Sequence, residues 1–171
     1  MAAVHSSDSP PPAVSVGLLI RELTPADRIA LAFIFRHLGE RSRHQRFLGV
    51  KRELSTQELD YLSEVDHWHR EALIAWSPPP RAPIAVARYE RCDVFDLADV
   101  AITVVDSWQR RGVGGELLLA LRERALHAGI RRFTATLFRS NRGAVALARR
   151  FDLDAAVPKY GGVVELSGSW R

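Results

Sequence analysis

The sequence has few of the residues that build cross-links, membrane anchors or metal centres. Only one cysteine, Cys92, occurs among 171 residues, which excludes an intramolecular disulfide and a multi-cysteine zinc site. No apolar run reaches the roughly 18 residues of a membrane span, and no signal peptide pattern is present. We therefore expect a cytoplasmic protein that has no membrane partner and no metal.

Lysine is nearly absent, because all but two of the 24 basic residues are arginine. The net charge of +4 is unevenly placed: residues 110–150 contain ten arginines and two glutamates, whereas residues 51–109 contain more acids than bases. Such asymmetry is typical of proteins that bind nucleic acid or an anionic cofactor, and also of arginine-rich solvated faces. The basic stretch 41–52 has one aromatic residue, Phe47, and no recognition motif, so we expect no nucleic-acid partner.

Length and composition predict one folded domain over residues 17–171, preceded by a disordered tail, rich in serine and proline, over residues 1–16. The apolar periodicities predict strands over 17–22, 72–77, 83–91, 99–105, 132–138 and 162–166, and helices over 24–38, 55–65, 112–127 and 141–151. Residues 40–52 have no clean periodicity and are interpreted as a mobile loop or broken helix. The order predicts an α+β or mixed α/β domain with an antiparallel meander of three consecutive strands.

The pattern Gln109-x-x-Gly112-x-Gly114 stands where a strand turns into a helix. Glycines let the backbone approach a ligand, and the first amides of a helix have no partner within the helix, so a pyrophosphate would fit there. A plain glycine turn is the alternative. A dinucleotide fingerprint needs a third glycine, and a P-loop needs a Gly-Lys-Ser/Thr ending; both are missing.

With this motif the sequence resembles the GNAT superfamily of acyl-CoA-dependent N-acyltransferases, over residues 18–167. It is more closely similar to the acetyltransferase domain of bacterial protein-lysine acetyltransferases, through residues 42–48 (SRHQRFL), 84–89 (IAVARY) and Trp108-Gln109. The resemblance implies a GNAT fold, a mixed, mostly antiparallel central sheet flanked by helices. It also implies transfer of an acetyl group from acetyl-CoA to a primary amine, with a protein lysine as the expected partner and a homodimer left open.

The resemblance also assigns the cofactor-binding residues. It implies that backbone amides hold the CoA pyrophosphate and that Arg110 and Arg111 add positive charge; the full set is Gln109, Arg110, Arg111, Gly112, Val113, Gly114 and Gly115. Val104, with Val105 beside it, would pair with the pantetheine arm as an extra strand does. Asn141 would contact the same arm, although asparagine is also a favoured helix cap.

A lysine amine, with a pKa of about 10.4, must lose a proton before it can attack a thioester. In the family an acid opens the strand ten residues before the motif glutamine, which here is Asp99, with Glu90 on the adjacent strand as second candidate. An exposed structural carboxylate is the alternative. Ala148 stands where many members have a tyrosine as general acid, and Tyr160 is a possible substitute. A small-molecule amine acetyltransferase and a non-catalytic acyl-CoA-binding module remain alternative functions.

Overall fold

The structure, a computed structural model, describes residues 17–170; the tail predicted over 1–16 lies outside them. The strands are β1 (Leu19–Glu22), β2 (Arg70–Trp76), β3 (Pro83–Arg91), β4 (Leu97–Val104), β5 (Arg132–Phe138), β6 (Leu153–Pro158) and β7 (Val163–Ser169). The helices are α1 (Arg28–Arg36), α2 (Glu40–Phe47), α3 (Thr56–Ser63), α4 (Val113–His127) and α5 (Arg142–Arg150).

One seven-stranded sheet, in the order β1-β2-β3-β4-β5-β7-β6, organises the domain. Every neighbouring pair is antiparallel except β4 and β5, which are parallel. The predicted mixed, mostly antiparallel sheet is confirmed, and so is the meander, which comprises β2, β3 and β4.

Helices pack on both faces of the sheet and enclose the core. The buried side of α4 lies against β2 and β3; it consists of Val113, Leu117, Leu118, Leu121 and Ala125. These are the residues whose spacing of three or four predicts an amphipathic helix. On the other face α1 packs against α3 and β3.

Two elements differ from the sequence prediction. Of the stretch interpreted as a mobile loop or broken helix, residues 40–47 form helix α2; none of its side chains is buried, so no apolar periodicity marks it. Strand β6 was missed because it is the edge strand, and Leu153 is its one buried residue. An element that buries almost nothing has no hydrophobic pattern to detect.

Strands β4 and β5 pair only over a short stretch. Their register joins Leu97, Ala98 and Asp99 of β4 to residues 132–134 of β5. Beyond Asp99 the paired register with β5 ends, while β5 stays paired with β7 along its whole length. The sheet therefore has a gap between β4 and β5 that begins at Asp99 and opens toward the end of β4.

Candidate active site

The corner between β4 and α4 is shaped by two residues with left-handed backbone. A single 3-10 turn, Asp106–Trp108, follows β4, and the chain then reverses at Arg110, whose φ is 60°. Gly112 is the N-cap of α4 with φ 86° and ψ −14°, a conformation that glycine adopts without steric cost. The N-terminus of α4 therefore points its first amides out of the corner.

The middle amides of the corner are free to donate. The Gln109 amide donates to the Asp106 carbonyl and the Gly115 amide to the Gly112 carbonyl. Between them, the amides of residues 110–114, which include Gly112, Val113 and Gly114, have no hydrogen-bond acceptor within residues 17–170. Unpaired donors at a helix N-terminus favour an anion, so the residues present fit a pyrophosphate.

Positive charge and close packing accompany these amides. The side chains of Arg110 and Arg111 are exposed, and the Arg111 guanidinium lies 5.2 Å from the centre of the Trp108 ring. A Cβ added to Gly114 would lie 3.2 Å from Leu147 of α5. Gly114 therefore lets the first turn of α4 approach its neighbours closely.

The register between β3 and β4 determines which residue at the end of β4 has its backbone N–H and C=O groups facing the gap. The Val105 amide donates to the Ile84 carbonyl on β3, and the Val105 carbonyl accepts from the Trp108 amide. Because neighbouring residues of a strand point their backbone groups in opposite directions, those of Val104 face the gap. Val104, and not Val105, can therefore pair with an extended arm lying along β4.

Asn141 caps helix α5. Its side-chain oxygen accepts a hydrogen bond of 3.1 Å from the Ala144 amide. The structure thus shows the capping role that the sequence left open, and the contact with a cofactor arm stays a prediction. The side-chain nitrogen of Asn141 keeps its two donors for such a contact.

The two candidate bases are neighbours on one face of the sheet. Asp99 of β4 lies opposite Glu90 of β3. The Thr134 hydroxyl donates to the Asp99 carboxylate at 3.0 Å, and the Tyr61 hydroxyl contacts both carboxylate oxygens of Glu90, at 2.8 and 3.0 Å. Asp99 also marks the point where β4 and β5 separate.

The environment of Asp99 raises the pKa of its carboxyl. The side chain has solvent contact, but the surrounding protein removes part of its hydration, which is the largest cause of the raised pKa. The negative charges of Glu165 and Glu90 act in the same direction, whereas the Thr134 hydroxyl and the positive charge of Arg46 lower it. A raised pKa makes a carboxylate a stronger base.

Helix α2 brings residues to this site that sequence reasoning missed. Arg46 donates from Nε to the Thr103 hydroxyl on β4 at 3.0 Å, and the His44 ring stacks on Phe138 of β5 with 4.9 Å between ring centres. Helix α2 therefore contacts both strands that border the gap. Both residues lie within the segment 42–48 that carried the family resemblance, which was the available signal.

Other sequence features lie outside this site. The stretch 66–69 forms a turn in which one Asp66 carboxylate oxygen accepts the amides of Trp68, His69 and Arg70. Residues 17–170 contain no cluster of three or more metal-ligating side chains, and none of their helices is long and apolar enough to cross a membrane. Tyr160 is 97% exposed, and Ala148 is buried.

Comparison with known proteins agrees with this geometry. The model of the acetyltransferase (GNAT) family matches residues 40–152, more than half of the chain. An acetyltransferase of Pseudomonas aeruginosa is 28% identical over 127 residues, which cover 73% of this chain and 68% of that protein. Acetyltransferase Pat of Mycolicibacterium smegmatis is 33% identical over 99 residues, 57% of this chain but only 29% of that longer protein.

The fold agrees as well. The crystal structure of the GNAT domain of S. lividans PAT superposes with a TM-score of 0.79 at 26% sequence identity, covering 88% of this chain and 89% of that one. The resemblance to bacterial protein acetyltransferases, inferred from residues 42–48 and the glycine corner, is thus confirmed at the level of sequence and of fold. The chain therefore belongs to the acetyltransferase (GNAT) family and is an acetyl-CoA-dependent N-acyltransferase.

Proposed function

We propose that this chain transfers the acetyl group of acetyl-CoA to the ε-amine of a protein lysine by direct attack in a ternary complex, with Asp99 as general base. The observation that carries the proposal is the position of Asp99 at the closed end of the gap between β4 and β5. The corner with free amides lies at the open end. From Asp99 to Val104 the strand spans about 17 Å, over which an extended thioester arm can run.

The donor would be held by backbone groups along this path. The amides of Gly112, Val113 and Gly114 would bind the pyrophosphate, and Val104 would pair with the pantetheine arm. Acetyl-CoA supplies the reactive thioester. The chain's contribution is to fix that thioester beside the acceptor amine, and such positioning lowers the entropic part of the barrier.

Asp99 would accept the proton of the attacking amine. An acceptor ammonium is attracted to the two neighbouring carboxylates, Asp99 and Glu90. Each carboxylate accepts one hydroxyl, Glu90 that of Tyr61 and Asp99 that of Thr134. Asp99 is favoured over Glu90 as the base because it stands at the closed end of the gap, where β4 and β5 separate.

The leaving thiolate needs no dedicated acid in this proposal. Ala148 has no proton to give, and Tyr160 projects into solvent. A CoA thiol resembles a cysteine thiol, whose pKa is about 8.5, so it can leave as the thiolate.

Accessibility supports a protein as acceptor. Asp99 and Glu90 are both exposed, and Tyr61 is 50% exposed beside them, so a lysine side chain on another protein can reach the carboxylates.

A small-molecule amine is the second candidate acceptor. A pocket on the same face of the sheet lies between α1, α2 and α3, and its lining includes Arg46, Arg88, Phe47 and Leu62. Its walls are mostly apolar with two cationic groups, but its volume is about 30 Å³, so it could take no more than the anionic end of a small acceptor.

The experiment that separates these functions measures acetyl transfer directly. The full chain is incubated with acetyl-CoA and either candidate acceptor proteins or a panel of small amines, and the products are identified by mass spectrometry. Acetylated lysines support the proposal, and turnover with small amines alone replaces it with the second candidate. Acetyl-CoA binding without any turnover would indicate a non-catalytic binding module.

The pH profile supplies a prediction about Arg46. Asp99 acts as a base only when ionised, so activity falls at low pH as its carboxyl is protonated. The positive charge of Arg46 lowers the pKa of Asp99, so Arg46→Gln should raise that pKa further. We expect the acid limb of the kcat/KM profile to move up by about 1 pH unit, with activity lost at low pH and recovered as pH rises.

The matched variant is Arg46→Lys, which keeps the positive charge but loses the planar donor group. It should leave the acid limb close to that of the wild type. Glu90, Glu165 and Cys92 also interact with Asp99 and are unchanged in both variants. If the acid limb of the kcat/KM profile lies at the same pH in Arg46→Gln and in the wild type, Arg46 does not change the pKa of Asp99.

A further inference from the structure

The side-chain amide of Gln109 is shared among three oxygen atoms. Its Nε2 lies 3.0 Å from the Val104 carbonyl oxygen, 3.2 Å from the Ser42 hydroxyl oxygen and 3.2 Å from Oδ1 of Asp106. A primary amide has two N–H donors, so it cannot make three full hydrogen bonds at once. One of the three contacts can therefore be given up without leaving a donor unpaired.

These oxygens belong to opposite sides of the site. The Val104 carbonyl faces the gap between β4 and β5, whereas Ser42 lies on α2. Asp106 also binds the start of α2, because its Oδ2 accepts a hydrogen bond of 3.2 Å from the amide of Gly39, the N-cap of that helix. The Gln109 side chain thus connects the strand along which the donor arm would lie with the beginning of α2.

The first turn of helix α2 is held in position by such polar contacts. None of the eight residues of α2 is buried, and its packing on α1 lies further along the helix, where Phe47 contacts the Phe35 ring edge-on. A Cβ on Gly39 would lie 2.7 Å from Oδ2 of Asp106, which shows how closely the helix start approaches the corner. At the other end of α2, Arg46 reaches the face of β4 that carries Asp99.

We infer that Gln109 is a positioning residue that exchanges its bond with the Val104 carbonyl for firmer bonds with Ser42 and Asp106 when the donor binds. The inference rests on the proposed pairing of the pantetheine arm with Val104. An amide N–H of that arm would take the carbonyl that Gln109 now occupies. The two N–H groups of Gln109 then match the two remaining acceptors, and α2 is held against the corner with Arg46 on the face of β4 that carries Asp99.

The consequence is an order of events. The acceptor face is fully assembled only after the donor has bound, because the partner exchange at Gln109 requires the donor arm. Donor binding and the ordering of α2 are therefore coupled, and the coupling is reciprocal.

The test measures amide hydrogen exchange in residues 40–47 with and without coenzyme A, together with the affinity for coenzyme A by calorimetry. In the wild type we expect coenzyme A to slow exchange in this helix about five-fold, the factor expected of one additional hydrogen bond. In Gln109→Leu coenzyme A should still bind, since the freed Val104 carbonyl offsets the lost coupling, but it should no longer slow exchange in α2.

Two further variants and a control complete the design. Gln109→Arg restores several donors and should restore the slower exchange. Ser42→Ala should reduce the effect of coenzyme A on exchange and, because the coupling is reciprocal, weaken coenzyme A binding by no more than the same factor of about five. Gln57→Leu, at an exposed glutamine of α3, should behave as the wild type.

The outcomes separate this inference from the proposed function. Wild-type protein that binds coenzyme A without slower exchange in α2, or Gln109→Leu protein that keeps the slowing, overturns the inference and leaves the proposed function standing. Wild-type protein that does not bind coenzyme A at all overturns both.

Discussion

Replacing Asp99 by alanine is expected to lower acetyl transfer at pH 7 about 100- to 1,000-fold, the contribution typical of a general base. The affinity for acetyl-CoA should stay unchanged, because the donor would be held by Val104 and by the amides of the glycine corner. The difference between variant and wild type should shrink as pH rises toward the pKa of the acceptor amine, about 10.4. Steady-state rates across the pH range and calorimetry with acetyl-CoA measure both effects.

The neighbouring carboxylates supply the controls for this prediction. Asp93, in the turn between β3 and β4, is exposed, so Asp93→Ala changes the local charge in the same way and should transfer acetyl at the wild-type rate. Glu90→Gln should cost much less activity than Asp99→Ala, since Glu90 lies on β3 and the gap between β4 and β5 begins at Asp99. Wild-type turnover of Asp99→Ala across the pH range would eliminate Asp99, and a larger loss in Glu90→Gln would assign the base to Glu90.

The second large effect is expected at the N-cap of α4. Gly112 has φ 86°, where a β-branched side chain costs about 1 to 2 kcal/mol. Gly112→Val should therefore shift the backbone and turn the amides of residues 112–114 away from their common direction. We expect acetyl-CoA to bind about 100-fold more weakly, which corresponds to one or two charge-assisted hydrogen bonds lost, while the domain stays folded.

Gly129, just beyond the other end of α4, is a matched control. Its φ is 79°, and a Cβ there, as at Gly112, would meet no atom within 4 Å. Gly129→Val should therefore lower the melting temperature as much as Gly112→Val does but leave the affinity for acetyl-CoA unchanged. Calorimetry and thermal unfolding of the two variants side by side test this, and equal affinities would show that the corner does not bind the diphosphate.

Elements defined by local interactions were predictable from the sequence. The capping box at Ser55 and Glu58 forms as the sequence indicates, with each side chain bonded to the other residue's backbone amide. Strand β5 has the predicted bounds. The caps and periodicities of these segments involve residues only a few positions apart, so they can be recognised from the sequence without knowledge of the tertiary structure.

Helix α2 shows where such reasoning fails. Its eight residues include three arginines and no buried side chain, so neither hydropathy nor charge spacing predicted it. Its contacts are with residues far away in the chain: Arg46 with Thr103, His44 with Phe138, and Ser42 with Gln109. These partners become neighbours only when the sheet has formed.

Some features of the candidate site were likewise predictable from the sequence, and others were visible only in the structure. The sequence indicated the glycine corner, Val104 and Asp99, because the family motif and its spacing are contiguous along the chain. The resemblance assigned the pairing to Val104, but the sequence could not show that its backbone groups face the gap, since their direction depends on the register between β3 and β4. It also did not show that Thr134, on another strand, donates to Asp99.

The amino-acid sequence alone determined the family, the order of most elements and the residues of the glycine corner, because these depend on local spacing and on a compact motif. The tertiary structure decided which amides remain unpaired, which strand residue faces the gap and which groups change the pKa of Asp99. Those properties arise from pairing and packing between segments distant in the chain, and hydrogen bonding and desolvation act on atoms that only the fold brings together.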